Sequence, residues 1–320
     1  MIMLQACSAG RQHGPIDQSH PAPLKASCAS ETQIKKIQIH EPRINKSRDH
    51  SIRWFHPGNP EKIAGVALVI HGLNFRPSKM NSVIDLLTTA EMAVLNLSLR
   101  GHGENYAHTP HTIAEKSRMV AFKTVSYQQW VHEVYRAYHL ARKRSDKRKV
   151  PLFLIGHSLG ALLGGNLLAT YPDVHFDRMV LFAPAFNCTL CRGLKIMAPF
   201  PGLVIPSGSP TSYRTNKGTP MAAYNALFDA ITHFKQHVSQ KLNVPTIIFI
   251  DKQDELVSYR KLKRLVKEKK LDRWKFHFLE KGRIGVQESV HHLILDEQSL
   301  GKDVWDEVGQ EMIRHLKPLK

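Results

Sequence analysis

Residues 150–165 read Val-Pro-Leu-Phe-Leu-Ile-Gly-His-Ser-Leu-Gly-Ala-Leu-Leu-Gly-Gly. An apolar run of strand character enters Gly156-His157-Ser158-Leu159-Gly160, and a stretch of small and apolar residues leaves it. This order predicts a strand, a sharp turn and a helix. The turn brings chain segments so close that only small residues fit two positions either side of Ser158. It also forces Ser158 into a strained backbone conformation and lifts its hydroxyl to a helix N-terminus, where negative charge is favoured. A serine so placed is a candidate nucleophile. The alternative is an ordinary serine in a glycine-rich turn.

The surrounding chain alternates between the two periodicities. Strands are predicted over residues 34–40, 51–56, 63–73, 93–100, 152–156 and 179–185. Helices are predicted over 78–90, 125–144 and 159–170, the second with Trp130, Val134, Tyr138 and Ala141 along one face. Strand and helix in alternation demand an α/β fold with a mostly parallel sheet covered on both faces. Ligands of such sheets bind at the carboxyl ends of the strands. Between residues 185 and 244 the alternation breaks. Residues 188–220 are rich in Pro and Gly, and a helix follows over 221–240 with Leu227, Ile231 and Phe234 on one face. The predicted organisation is a tail over 1–32, core over 33–186, an insertion over 187–243, and core again over 244–320.

A nucleophilic serine needs a base, and the base needs an orienting acid. Both are available downstream. A buried-looking strand at 245–250 runs into an acidic loop with Asp251, Asp254 and Glu255. The loop after the next strand carries His291 and His292. Asp251, at the end of the apolar run, also suits a strand-end residue bonding backbone amides.

With these residues in hand, the chain resembles the α/β-hydrolase superfamily, and within it the branch of monoglyceride lipases, lysophospholipases and small carboxylesterases. Residues 66–73, ending His71-Gly72-Leu73, are similar to the strand and His-Gly turn that opens the oxyanion hole. Arg100-Gly101-His102-Gly103 is similar to the Arg-Gly-His-Gly loop. Asp254 with Val257 resembles the acid loop, and His291 with Asp296 the His-x-x-x-x-acid ending. The resemblance implies an α/β-hydrolase fold with a small cap over the site, formed by the insertion. It implies Ser158 as nucleophile, His291 as base and Asp254 as acid, with the backbone N–H groups of Leu73 and Leu159 as oxyanion hole. His292 remains the alternative base, and Asp251 and Glu255 the alternative acids. The expected substrate is a carboxylic ester, monoacylglycerol or lysophospholipid in type, with no cofactor. Peptidase or amidase activity on the same residues, or a catalytically silent binding protein, are the competing readings. Ser98 departs from the family, which often has Asp two residues before that Arg.

The 320 residues carry a formal net charge of +18. Basic runs at 142–149 and 261–270 point either to solvated helix faces or to attraction toward an anionic membrane surface. No aromatic residues are interleaved with them, so nucleic acid is not an expected partner. Among 19 histidines, His233 and His237 share a helix face but lack the His-Glu-x-x-His pattern, so no metal is expected. His71 and His102 read as structural, bonding backbone in the loops that shape the site. Leu4-Gln5-Ala6-Cys7 resembles a bacterial lipobox behind a very short apolar stretch. The expectation is a lipid-anchored or periplasmic protein if Cys7 has that role, and a cytoplasmic one otherwise. Cys188 and Cys191 could form a small disulfide in the cap or remain two thiols.

Overall fold

The computed structural model of the chain describes residues 50–317 apart from 60, 109–110, 190 and 282–288. The tail over 1–32 with Cys7, and the strand expected over 34–40, lie outside the described residues. The strands of the main sheet are β1 (Ile52–Phe55), β2 (Gly65–Ile70), β3 (Met92–Leu97), β4 (Leu152–His157), β5 (Arg178–Phe182), β8 (Thr246–Asp251) and β9 (Trp274–Leu279). Two short strands, β6 (Val204–Pro206) and β7 (Gly218–Pro220), pair antiparallel outside it. The main sheet runs β1-β3-β2-β4-β5-β8-β9. Only β1, at the edge, is antiparallel to its neighbour; the other pairings are parallel.

Helices cover both faces. On one lie α3 (Tyr127–Arg148), α4 (Leu159–Thr170) and α6 (Met221–His237); on the other lie α1 (Asn81–Thr89) and α9 (Lys302–Leu316). Period-two alternation divides the strand side chains between the faces. Val66, Leu68, Leu152 and Leu154 pack beneath α3 and α4. Ala67, Val69, Phe153 and Ile155 pack beneath α1 and α9. Burial on both sides explains why β2, and β3 and β4 apart from Asn96 and His157, read as apolar runs rather than alternating ones. The long helix α3 starts where Ser126 and Gln129 form a capping box, each side chain accepting from the other's backbone N–H.

The strand order reverses at β2 and β4. The chain steps outward from β2 to β3, then returns past β2 to β4. Loops from neighbouring strands therefore diverge to opposite faces at the carboxyl ends of β2 and β4. A crevice at this position is where such sheets receive ligands. Residues 71–74 and Ser158 lie there.

Four further helices complete the described fold: α2 (Ala114–Lys123), α5 (Cys191–Leu194), α7 (Tyr259–Glu268) and α8 (Glu297–Leu300). Of the 187–243 insertion expected as cap, residues 191–220 form an irregular excursion carrying α5, β6 and β7. Helix α6 instead joins the core layer. Phe234 and Ile231 are buried against it, and Asn166 Nδ2 of α4 donates to Ala230 O at 2.9 Å. Helix α2 was not anticipated. It buries little beyond Ser117, Ala121 and Phe122, so its sequence carries a weak amphipathic signal.

Candidate active site

Ser158 caps α4 with φ 50° and ψ −111°, the strained conformation the motif demands. Its flanking glycines are required by contact. A Cβ on Gly160 would lie 2.2 Å from Ile70 O, and one on Gly156 would lie 2.6 Å from the backbone of Ala161. The turn is held on both sides, with Ser158 N–H donating to Phe182 O at 2.9 Å and Ala185 N–H donating to Ser158 O at 3.1 Å.

The hydroxyl so presented meets an imidazole. Ser158 Oγ is 2.9 Å from His292 Nε2. His292 Nδ1 is 2.8 Å from Asp254 Oδ2. Because the carboxylate can only accept, Nδ1 carries the hydrogen and Nε2 turns its lone pair toward the serine. The Asp254 side chain is 0% exposed and that of His292 7%. Asp254 Oδ1 accepts from the backbone N–H groups of Leu256 at 2.8 Å and Val257 at 2.7 Å. Two backbone hydrogen bonds thus fix the carboxylate that meets the histidine. A hydroxyl, an imidazole and a buried carboxylate in this order can take a proton from the serine and hold the imidazolium that results.

The histidine differs from the one expected. His291 does not reach Ser158; its Nδ1 bonds Asp251 Oδ2 at 2.9 Å, with the side chain 27% exposed. Two parallel Asp–His pairs therefore stand side by side, offset by three residues in one loop and one in the other. Adjacent residues in a turn point their rings in different directions, and residue spacing alone does not say which ring faces Ser158. The turn is gripped from two sides. Glu255 Oε1 accepts from His291 N–H at 3.0 Å and Oε2 from His292 N–H at 2.9 Å. Lys281 Nζ donates to Val290 O and to Leu293 O, each at 2.6 Å. Asp251 also accepts from Gln253 N–H at 2.7 Å and Lys281 N–H at 3.3 Å, so it organises backbone at the end of β8.

Leu159 opens α4, and the first N–H groups of a helix have no intrahelical acceptor. The Gly72–Leu73 peptide borders Ser158 from the other side, since a Cβ on Gly72 would lie 3.2 Å from Ser158 Cβ. The turn holding Leu73 is fixed by two buried histidines. Leu99 N–H donates to His71 Nε2 at 3.0 Å, and His71 Nδ1–H donates to Gly72 O at 2.8 Å. Asn74 N–H donates to His102 Nε2 at 2.9 Å, and His102 Nδ1–H donates to Arg100 O at 3.2 Å. Burial lowers His71 to about 4 and holds His102 well below the ordinary histidine value, so both act as neutral rings. His157 is buried beside them, its Nε2–H directed at His292 O at 3.4 Å and its Nδ1 without a partner.

Sequence reading missed Glu133. This α3 residue accepts from Arg100 N–H and from Asn105 Nδ2, both at 2.8 Å, and so supplies a carboxylate to the Arg-Gly-His-Gly loop in which Ser98 stands in place of an acid. Burial raises the Glu133 carboxyl above its ordinary value. Its signal lay in a different element, 33 residues away from Arg100. Cys188 and Cys191 are joined by a disulfide. His233 and His237 stack at 3.9 Å, with His233 Nε2 on Thr170 Oγ1 at 2.7 Å. Among the described residues no cluster of His, Cys, Asp and Glu could hold a metal ion.

The hydrolase family described as serine aminopeptidase, S33, matches residues 61–218. Its match runs through the His-Gly turn, the Arg-Gly-His-Gly loop and the Ser158 turn. Over this stretch the chain is similar to the α/β-hydrolase superfamily. Within it the likeness is to the monoglyceride lipase branch. Rat (Rattus norvegicus) monoglyceride lipase is 26% identical over 147 residues, which are 45% of this chain and 43% of the lipase. The match to this curated relative thus spans less than half its length. A soluble variant of monoglyceride lipase from Saccharomyces cerevisiae superposes with TM-score 0.65 at 14% identity, covering 83% of this chain and 90% of that one. Monoacylglycerol lipase from Paleococcus ferrophilus superposes with TM-score 0.59 at 17% identity, covering 82% and 99%. These superpositions establish the shared fold.

Proposed function

We propose that this protein hydrolyses carboxylic esters through an acyl-enzyme, with Ser158 as nucleophile, His292 as general base and acid, and Asp254 as orienting acid. The observation that carries the reading is the unbroken chain of contacts from Asp254 through His292 to Ser158. Ser158 Oγ attacks the ester carbonyl while His292 Nε2 takes the hydroxyl proton. The oxyanion is received by the N–H groups of Leu73 and Leu159. Collapse of the tetrahedral intermediate expels the alcohol, which leaves with the proton from His292. Water then attacks the acyl-enzyme by the same proton path and releases the acid. Each oxyanion donor in such sites is worth roughly 10²–10³ in turnover. A silent binding protein has no physical need for this linked set.

The substrate class we infer is a single-chain lipid ester of monoacylglycerol or lysophospholipid type. Support comes from the names of the relatives and from the cap segment, where Ile196 is 81% exposed and Phe200 65%. Exposed apolar groups beside Lys195 suit approach to an anionic lipid surface. The description of the matched family favours a second reading, cleavage of peptide amides with the same residues. The deciding experiment offers nitrophenyl esters from acetyl to palmitoyl beside aminoacyl nitroanilides, with wild type and Ser158→Ala in parallel. Ester turnover that peaks at one chain length and disappears in the variant supports the ester reading. Turnover of the anilides but not the esters replaces it with the second.

A further inference from the structure

Two buried asparagines, one in the turn after β2 and one in the inserted excursion, have a hydrogen bond at every polar group. Asn74 is 5% exposed and sits at φ 50°, a left-handed conformation that asparagine tolerates better than most side chains. Its N–H donates to His102 Nε2 at 2.9 Å, and its carbonyl accepts from Thr215 N–H at 2.9 Å. Its side chain grips the main chain of Asn216. Oδ1 accepts from Asn216 N–H at 2.9 Å, and Nδ2 donates to Asn216 O at 3.0 Å. Asn216, 2% exposed, extends the link. Its Nδ2 donates to Gly101 O at 3.0 Å, and its Oδ1 accepts from Arg118 Nε at 3.2 Å.

The link ends beside Leu73. Gly72 O and Leu73 N–H belong to one peptide plane, so whatever holds the carbonyl also aims the amide. Gly72 O accepts from His71 Nδ1–H at 2.8 Å and from Phe75 N–H at 3.3 Å. Phe75 is held in turn by the excursion. It pairs with Arg214 in an antiparallel bridge, and its carbonyl accepts from Thr215 Oγ1 at 3.0 Å. Arg76 N–H donates to Tyr213 O at 2.7 Å. The Leu73 N–H itself has no acceptor among the described residues. An amide that receives developing negative charge works by being fixed beforehand, and a small displacement weakens it. None of these bonds involves Ser158, so the influence of residues 213–216 passes through the main chain of the turn.

We propose that Asn74 and Asn216 are positioning residues that aim the Leu73 N–H at the oxyanion, a role that rests on the acyl-transfer reading of Ser158. Asn74→Gly keeps the left-handed backbone and removes only the side-chain grip. Asn216→Ala keeps its main-chain bonds to Asn74 and frees them from Gly101 and Arg118. Both variants are measured as full chains of confirmed fold, on whichever of the nitrophenyl esters or aminoacyl nitroanilides wild type cleaves. A displaced donor loses part of the 10²–10³ that one such group supplies, so kcat should fall roughly 10- to 100-fold in Asn74→Gly and roughly 3- to 10-fold in Asn216→Ala, with KM within about threefold of wild type. Affinity for an alkyl trifluoromethyl ketone should fall in parallel. Ser158 Oγ adds to its carbonyl carbon, the hydroxyl proton passes to His292, and the hemiketal oxygen becomes the anion that the amides receive. Asn166→Ala removes a buried asparagine bond between α4 and α6 and should lower the thermal midpoint with kcat within about twofold of wild type. Hydrogen exchange over residues 71–76 should quicken in both site variants, whether or not wild type is active. The proposal is overturned if both folded variants keep kcat within about twofold of wild type, if kcat falls while the ketone binds as before, or if Asn166→Ala loses as much. Should Asn74→Gly not fold, Asn216→Ala alone decides. A wild type inactive on both substrate series removes the acyl-transfer reading and this role with it, whereas unchanged exchange over 71–76 removes the link alone.

Discussion

The turn that carries His292 is gripped by one carboxylate, which gives a sharp expectation for Glu255→Ala. Glu255 accepts the backbone N–H groups of both His291 and His292, at 3.0 and 2.9 Å. It touches neither the serine nor the imidazole, so its contribution is to positioning. A hydrogen bond to a charged group contributes about 1.5–3 kcal/mol when sheltered, and less where water competes. Glu255 is an exposed residue, and Lys281 continues to hold Val290 O and Leu293 O from the other side. The pair of bonds should therefore be worth about 1–2 kcal/mol to the productive placement of His292, or roughly 5- to 30-fold in kcat/KM. Glu255→Gln should recover only part of the loss, because its NH₂ would face a backbone N–H. Glu255→Asp tests reach, since a shorter side chain cannot span both amides. The assay is nitrophenyl ester hydrolysis across pH, with circular dichroism and the thermal midpoint to confirm folding. A folded Glu255→Ala protein within twofold of wild type in kcat/KM across the pH range would refute the positioning argument.

Two other outcomes follow from the same geometry. Asp254→Asn should lower kcat by about 10⁴-fold, because the amide oxygen would stay with the Leu256 and Val257 N–H groups and its NH₂ would face His292 Nδ1, forcing the wrong tautomer, whereas Asp251→Asn should cost about tenfold or less; the reverse ranking in steady-state kinetics would transfer the role to the Asp251–His291 pair. Stability should fall as pH drops from about 6.5 toward 4: His71 is lowered to about 4 by burial, so the unfolded chain binds the extra proton in that window, and the loss from this ring is of order 3 kcal/mol. Urea midpoints that stay flat between pH 7 and pH 4.5 would contradict the buried neutral histidines.

Much of this was legible in the chain because geometry left few options. The Ser158 turn could be read because Gly156 and Gly160 stand where backbone contacts exclude any Cβ. The strands could be read because two-sided burial makes them largely apolar, and the place of Ser158 at the strand-order reversal then follows from topology. The choice of histidine could not be read. His291 and His292 are adjacent and the loop conformation decides between them through Glu255 and Lys281. Those contacts link residues that are 36 and 37 positions apart in the case of Glu255. Glu133 escaped notice for the same reason, since its partners Arg100 and Asn105 lie on another loop. The boundary of the cap was blurred because α6 is amphipathic whether it covers a site or packs on α4; only its burial against the core decides.

The proposed mechanism requires that His292, and not its neighbour, activates Ser158. Its most direct test is ester hydrolysis by His292→Ala and His291→Ala, measured beside wild type and Ser158→Ala on the best nitrophenyl ester. His292→Ala should fall by about 10⁴-fold or more, to the level of Ser158→Ala, while His291→Ala keeps at least about a tenth of wild-type activity. Loss of activity in His291→Ala with His292→Ala still active would contradict it.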